Sequence, residues 1–258
     1  MKPIRILIIC FCLFFSQLFS TCKPSNKAEK LNIFAAASLK DVLSKTAEVY
    51  KQKTGLELSL NFASSGILAR QIEQGAEVDF FFSANLDWIN YISEKELLLA
   101  SSKLNLAQNK MALIVPKGSK LNNLENFRPE QITSLLDGRL AIGDPNHVPA
   151  GKYAREILEH HKLWQILKPR ILPCKNARET LLMVEMGEVE LGIVYLSDTK
   201  KSKKIRCIYE FEESDSSPIL YYSAHRTKPN SKVQDFQNFL KQPESKRIWK
   251  DYAFIVHD

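Results

Sequence analysis

Four short segments of small and hydroxyl-bearing residues stand where a predicted strand gives way to a predicted helix. They are residues 36–39, 63–66, 148–151 and 176–178. A helix N-terminus offers unpaired N–H groups and a partial positive charge of roughly half a unit. Small side chains let an anion come close to that backbone. The four segments together indicate an anion site made of neutral donors.

Two serines in these segments, Ser38 and Ser65, allow other interpretations. Each could simply cap its helix, because a serine hydroxyl accepts from the first N–H groups. Either could also be the nucleophile of a hydrolase, with His147 as base and Asp144 orienting it. Neither serine lies in a Gly-x-Ser-x-Gly turn, and the sequence holds no phosphate-binding loop or dinucleotide fingerprint. The motifs therefore favour binding over catalysis.

The cysteines and histidines show no metal-binding spacing. Cys10 and Cys12 lie in the N-terminal apolar segment and Cys22 follows it, which leaves Cys174 and Cys207. These two either form a disulfide or remain free thiols, and the sequence leaves both open. No cysteine pair has ligand spacing, and the five histidines do not cluster with them. We expect no cofactor and no bare metal cation.

The N-terminus is typical of an exported protein. A basic start precedes an almost wholly apolar segment, residues 6–19, and then small residues. This order predicts a signal peptide over residues 1–21, cleaved before Cys22, because the apolar segment is too short for a permanent span. The cleavage region resembles a lipobox, so Cys22 becomes either a lipidated first residue or an incidental one. The polar residues 22–30 are predicted to be a tether.

Strands and helices alternate along the rest of the chain. Predicted strands cover residues 31–37, 56–62, 78–82, 111–115, 140–142, 170–173 and 191–194, and predicted helices cover 39–54, 67–74, 87–95, 152–161 and 178–185. This alternation predicts an α/β fold with mostly parallel sheets, whose ligands bind beyond the carboxyl ends of the strands. The formal net charge of +7 is scattered, without a basic stripe, which argues against a nucleic-acid partner.

Four ordered blocks stand out along the chain: residues 31–39, 61–65 with 68–73, 143–151 and 191–195. Together they resemble the bacterial periplasmic molybdate-binding proteins, the soluble receptors of molybdate ABC transporters. The resemblance implies a two-lobed periplasmic-binding-protein fold of type II that closes on its ligand. Lobe 1 would comprise residues 31–108 and about 224–258, and lobe 2 residues 109–223.

The resemblance also implies the residues that hold the ligand. Ser38 and Ser65 would donate through hydroxyl and backbone N–H. The backbone N–H groups of Ala150 and Ala177 would donate from the other lobe, and Tyr195 through its phenolic hydroxyl. The ligand would be molybdate or tungstate, with sulfate or another tetrahedral oxyanion as the alternative. The receptor would be a monomer outside the inner membrane that delivers this ligand to the permease of an ABC transporter.

Three positions depart from the family's pattern. Ala177 stands where valine is expected, Asn146 where an acidic residue is expected, and Gly66 where a second serine is frequent. The change at Ala177 should matter little, because the implied contact is through the backbone. Gly66 could alter the entry to its helix without removing the donor at Ser65.

Overall fold

The computed structural model describes residues 30–121, 127–200 and 202–256. The predicted signal peptide, Cys22 and nearly all of the predicted tether lie outside these residues, and Lys30 already belongs to the first strand. None of the helices in the described ranges combines the length and the apolar character needed to cross a membrane.

The first of two sheets has the strand order β2-β1-β3-β10-β4. Its strands are β1 (Lys30–Ala36), β2 (Glu57–Ala63), β3 (Phe80–Ser83), β4 (Leu104–Gln108) and β10 (Leu220–His225). The helices packed around it are α1 (Lys40–Thr54), α2 (Ser65–Glu73), α3 (Leu86–Ser93), α9 (Ser231–Leu240) and α10 (Pro243–Asp251). This sheet and its helices are called the first lobe.

The second sheet has the order β7-β6-β8-β5-β9. Its strands are β5 (Met111–Pro116), β6 (Leu140–Gly143), β7 (Ile171–Cys174), β8 (Leu191–Tyr195) and β9 (Ile205–Glu210). The helices of this second lobe are α4 (Ile132–Leu135), α5 (Pro149–His160), α6 (Trp164–Leu167), α7 (Ala177–Glu185) and α8 (Leu196–Thr199).

The central strands are apolar on both faces because helices cover both. In β3, Phe80, Phe81 and Phe82 are completely buried. Successive side chains of a strand point to opposite faces. Phe80 accordingly meets Phe236 of α9 edge to face, with ring centroids 5.1 Å apart. Phe81 belongs to a separate cluster with residues of α2 and α3, among them Leu68. Each sheet is thus the middle layer of its lobe.

The predicted two-lobed α/β fold is confirmed, but the sheets are mixed rather than mostly parallel. Four of the eight pairings between described strands are antiparallel, and each of the four includes β5 or β10. The chain enters β5 directly from the first sheet and β10 directly from the second, without an intervening crossover helix in the same sheet. Neither strand is therefore obliged to run parallel to its neighbours.

Two chain segments connect the lobes. The first is the pair Asn109 and Lys110 between β4 and β5, and the second is residues 211–219 between β9 and β10. Because β10 begins at Leu220, the first sheet resumes about four residues before the boundary predicted near residue 224. The second segment is called the crossing segment below.

The alternatives left open for the two cysteines are decided by their positions. Cys174, at the end of β7, is buried, Cys207, in β9, is exposed, and both are free thiols.

Candidate functional site

Ser38 lies in the 3-10 turn Ala37–Leu39 between β1 and α1 and is 5% exposed. It does not cap a helix: Leu39 is the N-cap of α1 and makes no side-chain bond there. The interpretation of Ser38 as a cap is therefore wrong, because the tight turn carries its side chain to β10. There the Tyr221 hydroxyl donates a hydrogen bond of 3.2 Å to Ser38 Oγ. A hydroxyl that accepts one bond still has its own proton to donate.

Ser65 repeats this arrangement at the start of α2. The N-cap is the preceding residue, Ser64, whose Oγ accepts from the Ile67 N–H at 3.3 Å. The capping interpretation of Ser65 is wrong by one residue. Ser65 is completely buried, and its Oγ accepts a hydrogen bond of 3.2 Å from the Ala84 N–H. Its hydroxyl proton therefore remains to be donated to another group.

Ala150 and Ala177 lie in the first turns of two helices of the second lobe. Helix α5 begins at Pro149, which has no N–H, so Ala150 provides its first N–H group. Ala177 is the first residue of α7, and its cap, Asn176, accepts from the Glu179 N–H at 2.9 Å. The N–H groups of a first turn have no partner within their helix. Both alanines are almost completely buried, so these donors face the protein interior.

Tyr195 ends β8 and holds a buried hydroxyl that makes no well-directed hydrogen bond among the described residues, although the Tyr221 hydroxyl lies near it. The residue is 1% exposed, and its ring centroid lies 5.7 Å from that of Tyr221. Burial raises the pKa of Tyr195 well above the usual value for tyrosine. The phenol is therefore neutral and keeps its proton. A buried, unpaired donor is costly, which makes it a good indicator of a ligand.

Contacts between the lobes bring these residues into one region. Across the junction, the Tyr153 hydroxyl of α5 donates to the Ala84 carbonyl at 3.3 Å. The Gly66 N–H of α2 donates to the His147 carbonyl at 3.1 Å, just before α5 begins. The turn that contains Ser38 packs against α7. The five residues expected to hold the ligand thus all lie at or beside the contact between the two lobes.

Arg178 directly follows the proposed donor Ala177 in sequence, but its guanidinium interacts with carboxylates. Its guanidinium pairs with Asp41 of α1, in the other lobe, and lies 3.6 Å from Asp198 Oδ1 of α8. Burial raises the pKa of Asp198 to about 7, and the positive charge of Arg178 limits that rise. The charge of Arg178 is thus compensated within the protein, and the donors that face the junction are neutral.

The geometry does not favour the alternative in which Ser38 or Ser65 is the nucleophile of a hydrolase. His147 Nδ1 lies 3.6 Å from Asp144 Oδ2, so base and acid are close to one another. However, Ser38 accepts from Tyr221 and Ser65 accepts from Ala84, and neither bond involves the imidazole of His147. Throughout the described ranges, no hydrogen bond joins that ring to either serine. A nucleophile needs its base within hydrogen-bond reach.

Three polar residues of the region were not anticipated from the sequence: Tyr221, Tyr153 and Asn109. Asn109 Nδ2 donates to Ser197 Oγ at 2.8 Å and to the Tyr221 hydroxyl at 3.4 Å. Tyr221 is thereby fixed between Asn109 and Ser38. The strand that contains Tyr221 was not predicted, so nothing in the sequence placed this hydroxyl beside Ser38.

Comparison with known proteins agrees with this geometry. The model of the bacterial extracellular solute-binding protein family matches residues 31–255. The molybdate-binding protein ModA of Escherichia coli (strain K12) is 37% identical over 232 residues, which cover 88% of this chain and 89% of that protein. The putative ABC transporter substrate-binding lipoprotein YvgL of Bacillus subtilis (strain 168) is 32% identical, with 90% and 88% covered.

A solved structure extends the comparison to three dimensions. It is the substrate binding domain of a putative molybdenum ABC transporter from Clostridium difficile, which is 32% identical to this chain. The two structures superpose with a TM-score of 0.67, covering 89% of this chain and 99% of that one. The chain therefore belongs to the bacterial extracellular solute-binding protein family.

Proposed function

We propose that this protein captures molybdate or tungstate outside the inner membrane and delivers it to the permease of an ABC transporter. The observation that carries the proposal is the Tyr195 hydroxyl, which is buried, protonated and unpaired among the described residues where the two lobes meet. The ModA relative and the Clostridium difficile domain, both above 30% identity, support the choice of ligand.

The chemistry of the donors suits a tetrahedral dianion. Such an ion has four oxygens that accept hydrogen bonds and, once ionised, no proton to donate. In this proposal it accepts from the hydroxyls of Ser38, Ser65 and Tyr195 and from the N–H groups of Ala150 and Ala177. The two serines are already oriented by bonds that they accept from protein groups. Neutral dipoles avoid the desolvation cost of a buried cation.

Discrimination between oxyanions would depend on size. Molybdate and tungstate share the shape and charge of sulfate but are larger. The five proposed donors belong to the turn after β1, to the first turns of α2, α5 and α7 and to the end of β8, so the two lobes set the distances between them. A smaller ion cannot reach both sets of donors at once and leaves some unpaired, which costs about 1–3 kcal/mol for each buried group.

Export and anchoring belong to the same proposal. Residues 1–21 would direct the chain across the inner membrane, and Cys22 would hold it at the membrane surface through a lipid. The Bacillus subtilis relative, itself described as a lipoprotein, supports the second step. The mature receptor would then act as a monomer with its tether at residues 22–30.

The test is calorimetric titration of the ligand-free protein with molybdate, tungstate, sulfate and phosphate. We expect 1:1 binding of molybdate and tungstate and much weaker binding of the other two. Tyr195→Phe and Ser38→Ala should each lose roughly 10- to 150-fold in molybdate affinity, because removal of one donor to a charged acceptor costs about 1.5–3 kcal/mol. Tyr209→Phe is the matched control, since that ring packs on Phe127 in the second lobe.

Two results would contradict the proposal. One is a folded, ligand-free protein that gives no heat with molybdate or tungstate. The other is equal affinity in the Tyr195→Phe and Tyr209→Phe variants, which would remove Tyr195 from the site. Preferential binding of sulfate would replace the ligand and leave the family assignment intact.

A further inference from the structure

A cluster of imidazole and carboxylate groups lies where α5 ends and the crossing segment passes beside it. His160 is the last residue of α5, and His161 is its C-cap. Asp215 ends the 3-10 turn Glu213–Asp215 in the crossing segment. The side chains of His161 and Asp215 are 14% and 6% exposed, while that of His160 is 52% exposed. The cluster therefore has a buried base and one side open to solvent.

The ligand atoms of this cluster lie close enough together to be directed at one metal ion. His161 Nε2 lies 3.3 Å from Asp215 Oδ1, and His160 Nε2 lies 3.7 Å from the same oxygen. All three ligand atoms lie within 4.8 Å of one another. Bonds of about 2.0–2.1 Å at a tetrahedral zinc ion place neighbouring ligand atoms roughly 3.3–3.4 Å apart. The His161–Asp215 distance already matches this value, and the half-exposed His160 ring would have to rotate to bring its Nε2 to the same distance.

The surroundings of the His161 ring also indicate that this residue is a metal ligand. Its Nδ1 lies 3.3 Å from Glu130 Oε1, so a proton on Nδ1 is directed to that carboxylate. The opposite nitrogen, Nε2, is buried and makes no well-directed hydrogen bond in the part of the chain that the structure describes, although Asp215 Oδ1 lies 3.3 Å away. In the tautomer with the proton on Nδ1, the Nε2 lone pair faces this oxygen, a second acceptor. A carboxylate behind one ring nitrogen and an open lone pair on the other is the usual surrounding of a metal-binding histidine.

We propose that His160, His161 and Asp215 bind a divalent transition-metal ion such as zinc or nickel. Imidazole nitrogens suit zinc, copper and nickel, whereas magnesium and calcium prefer sites made of oxygen alone. Asp215 is further held by its Oδ2, which accepts from the Glu212 N–H at 2.9 Å. Three protein ligands leave one position for water on the exposed side, beside His160.

The ion would join the crossing segment to α5. One turn earlier on the same face of α5, Glu156 already accepts from the N–H and the hydroxyl of Ser217, at 2.9 and 2.7 Å. Metal binding would add a second attachment between the same two elements, at Asp215. The site lies apart from the proposed oxyanion donors, so it holds or fails independently of the proposed function.

The experiment is calorimetric titration of the untagged protein with zinc chloride after treatment with EDTA and without molybdate. We expect one zinc ion per chain. His160→Gln and His161→Gln should each weaken zinc binding by at least tenfold, and Glu130→Gln by roughly tenfold, because it orients His161. Magnesium should not compete. His147→Gln, a histidine outside the cluster, is the matched control and should bind zinc as the wild type does.

His160 decides the outcome, because its ring is half exposed and its replacement does not threaten the fold. Unchanged zinc affinity in His160→Gln and His161→Gln, or no zinc bound by the wild type in excess zinc, would overturn the proposal. A second readout is thermal unfolding with and without zinc. The midpoint should rise with zinc in the wild type and in His147→Gln and rise clearly less in His161→Gln, since binding to the folded state raises it in proportion to the logarithm of the affinity.

Discussion

Burial determines the protonation states around the donors, and at Asp198 this makes the stability of the protein depend on pH near neutrality. The carboxylate is 2% exposed, and its Oδ2 has no hydrogen-bond partner among the described residues. Burial raises its pKa from 3.8 to about 7. The folded state therefore binds this proton more tightly than the unfolded state does. The stabilisation is complete below about pH 4 and is lost as the pH rises through about 7.

We therefore predict that the free energy of unfolding falls by about 1–3 kcal/mol between pH 5 and pH 8, at about 1.4 kcal/mol for each unit of pKa shift. Urea unfolding at both pH values measures it. Asp198→Asn, whose amide cannot ionise, should lose most of this dependence. The exposed Asp137→Asn should retain it. An identical slope in the Asp198→Asn variant would show that another group is responsible.

At the residue scale the sequence could name candidates but not their contacts. Ser38 and Ser65 followed from the small-residue segments, yet their partners Tyr221 and Ala84 are 183 and 19 residues away in sequence. A capping role could be expected from local sequence alone, and it was wrong for both serines. The ligand role of the five donors stays a prediction. The cluster at His160 and His161 could not be predicted from the sequence either, because its carboxylate, Asp215, lies in the crossing segment.

At the scale of elements, the N-terminus of α2 meets the loop before α5 at a position with no spare room. The Gly66 N–H bonds to the His147 carbonyl. A Cβ added to Gly66 would lie 2.6 Å from that carbonyl oxygen and 2.7 Å from the Trp88 ring. Glycine at this position thus permits the close backbone contact between the lobes seen here.

We predict that Gly66→Ala lowers molybdate affinity by roughly 10- to 100-fold. The methyl group separates the lobes, and apparent affinity falls with the fraction of molecules that can close. Titration calorimetry measures this, and thermal unfolding checks that the variant folds. Gly118→Ala is the control, because a Cβ there has no atom within 4 Å. Equal affinities in the two variants would mean that the contact at Gly66 plays no part in closure.

Elements with strong local signals were predicted well, and those without them were missed. The sequence predicted the end of α1 at Gly55, whose φ of 76° is easy only for glycine. It also predicted the buried apolar strands. The strands β4, β9 and β10 were not predicted because they lack a continuous apolar segment. Polar residues such as Asn105 and Arg206 interrupt β4 and β9, and Ser223 interrupts β10. Two of them are edge strands, stabilised by one neighbour only.

At the scale of the whole molecule, apolar packing and polar contacts both join the two lobes, and one apolar cluster includes buried residues of each. Besides the hydrogen bonds of Gly66 and Tyr153, two ion pairs cross the junction: Arg178 with Asp41, and Lys152 with Asp87. Ion pairs near a surface contribute little, about 0–1 kcal/mol each. However, a pair that forms only when the lobes are closed contributes entirely to the closed state. If a ligand binds only to the closed state, the free energy of these ion pairs therefore contributes to the free energy of ligand binding.

We predict that the double variant Asp41→Asn with Asp87→Asn binds molybdate about 2- to 30-fold more weakly, corresponding to roughly 0.5–2 kcal/mol lost from the closed state. Salt screens exposed charges over about 10 Å at 0.1 M. Raising the salt concentration should therefore weaken binding by the wild type and have less effect on the double variant. Glu48→Gln is the control, since Glu48 pairs with Lys45 inside α1, within one lobe. If the double variant has the same affinity and the same salt dependence as the wild type, the two ion pairs do not contribute to closure. Closure would then depend on the ligand and the uncharged contacts alone.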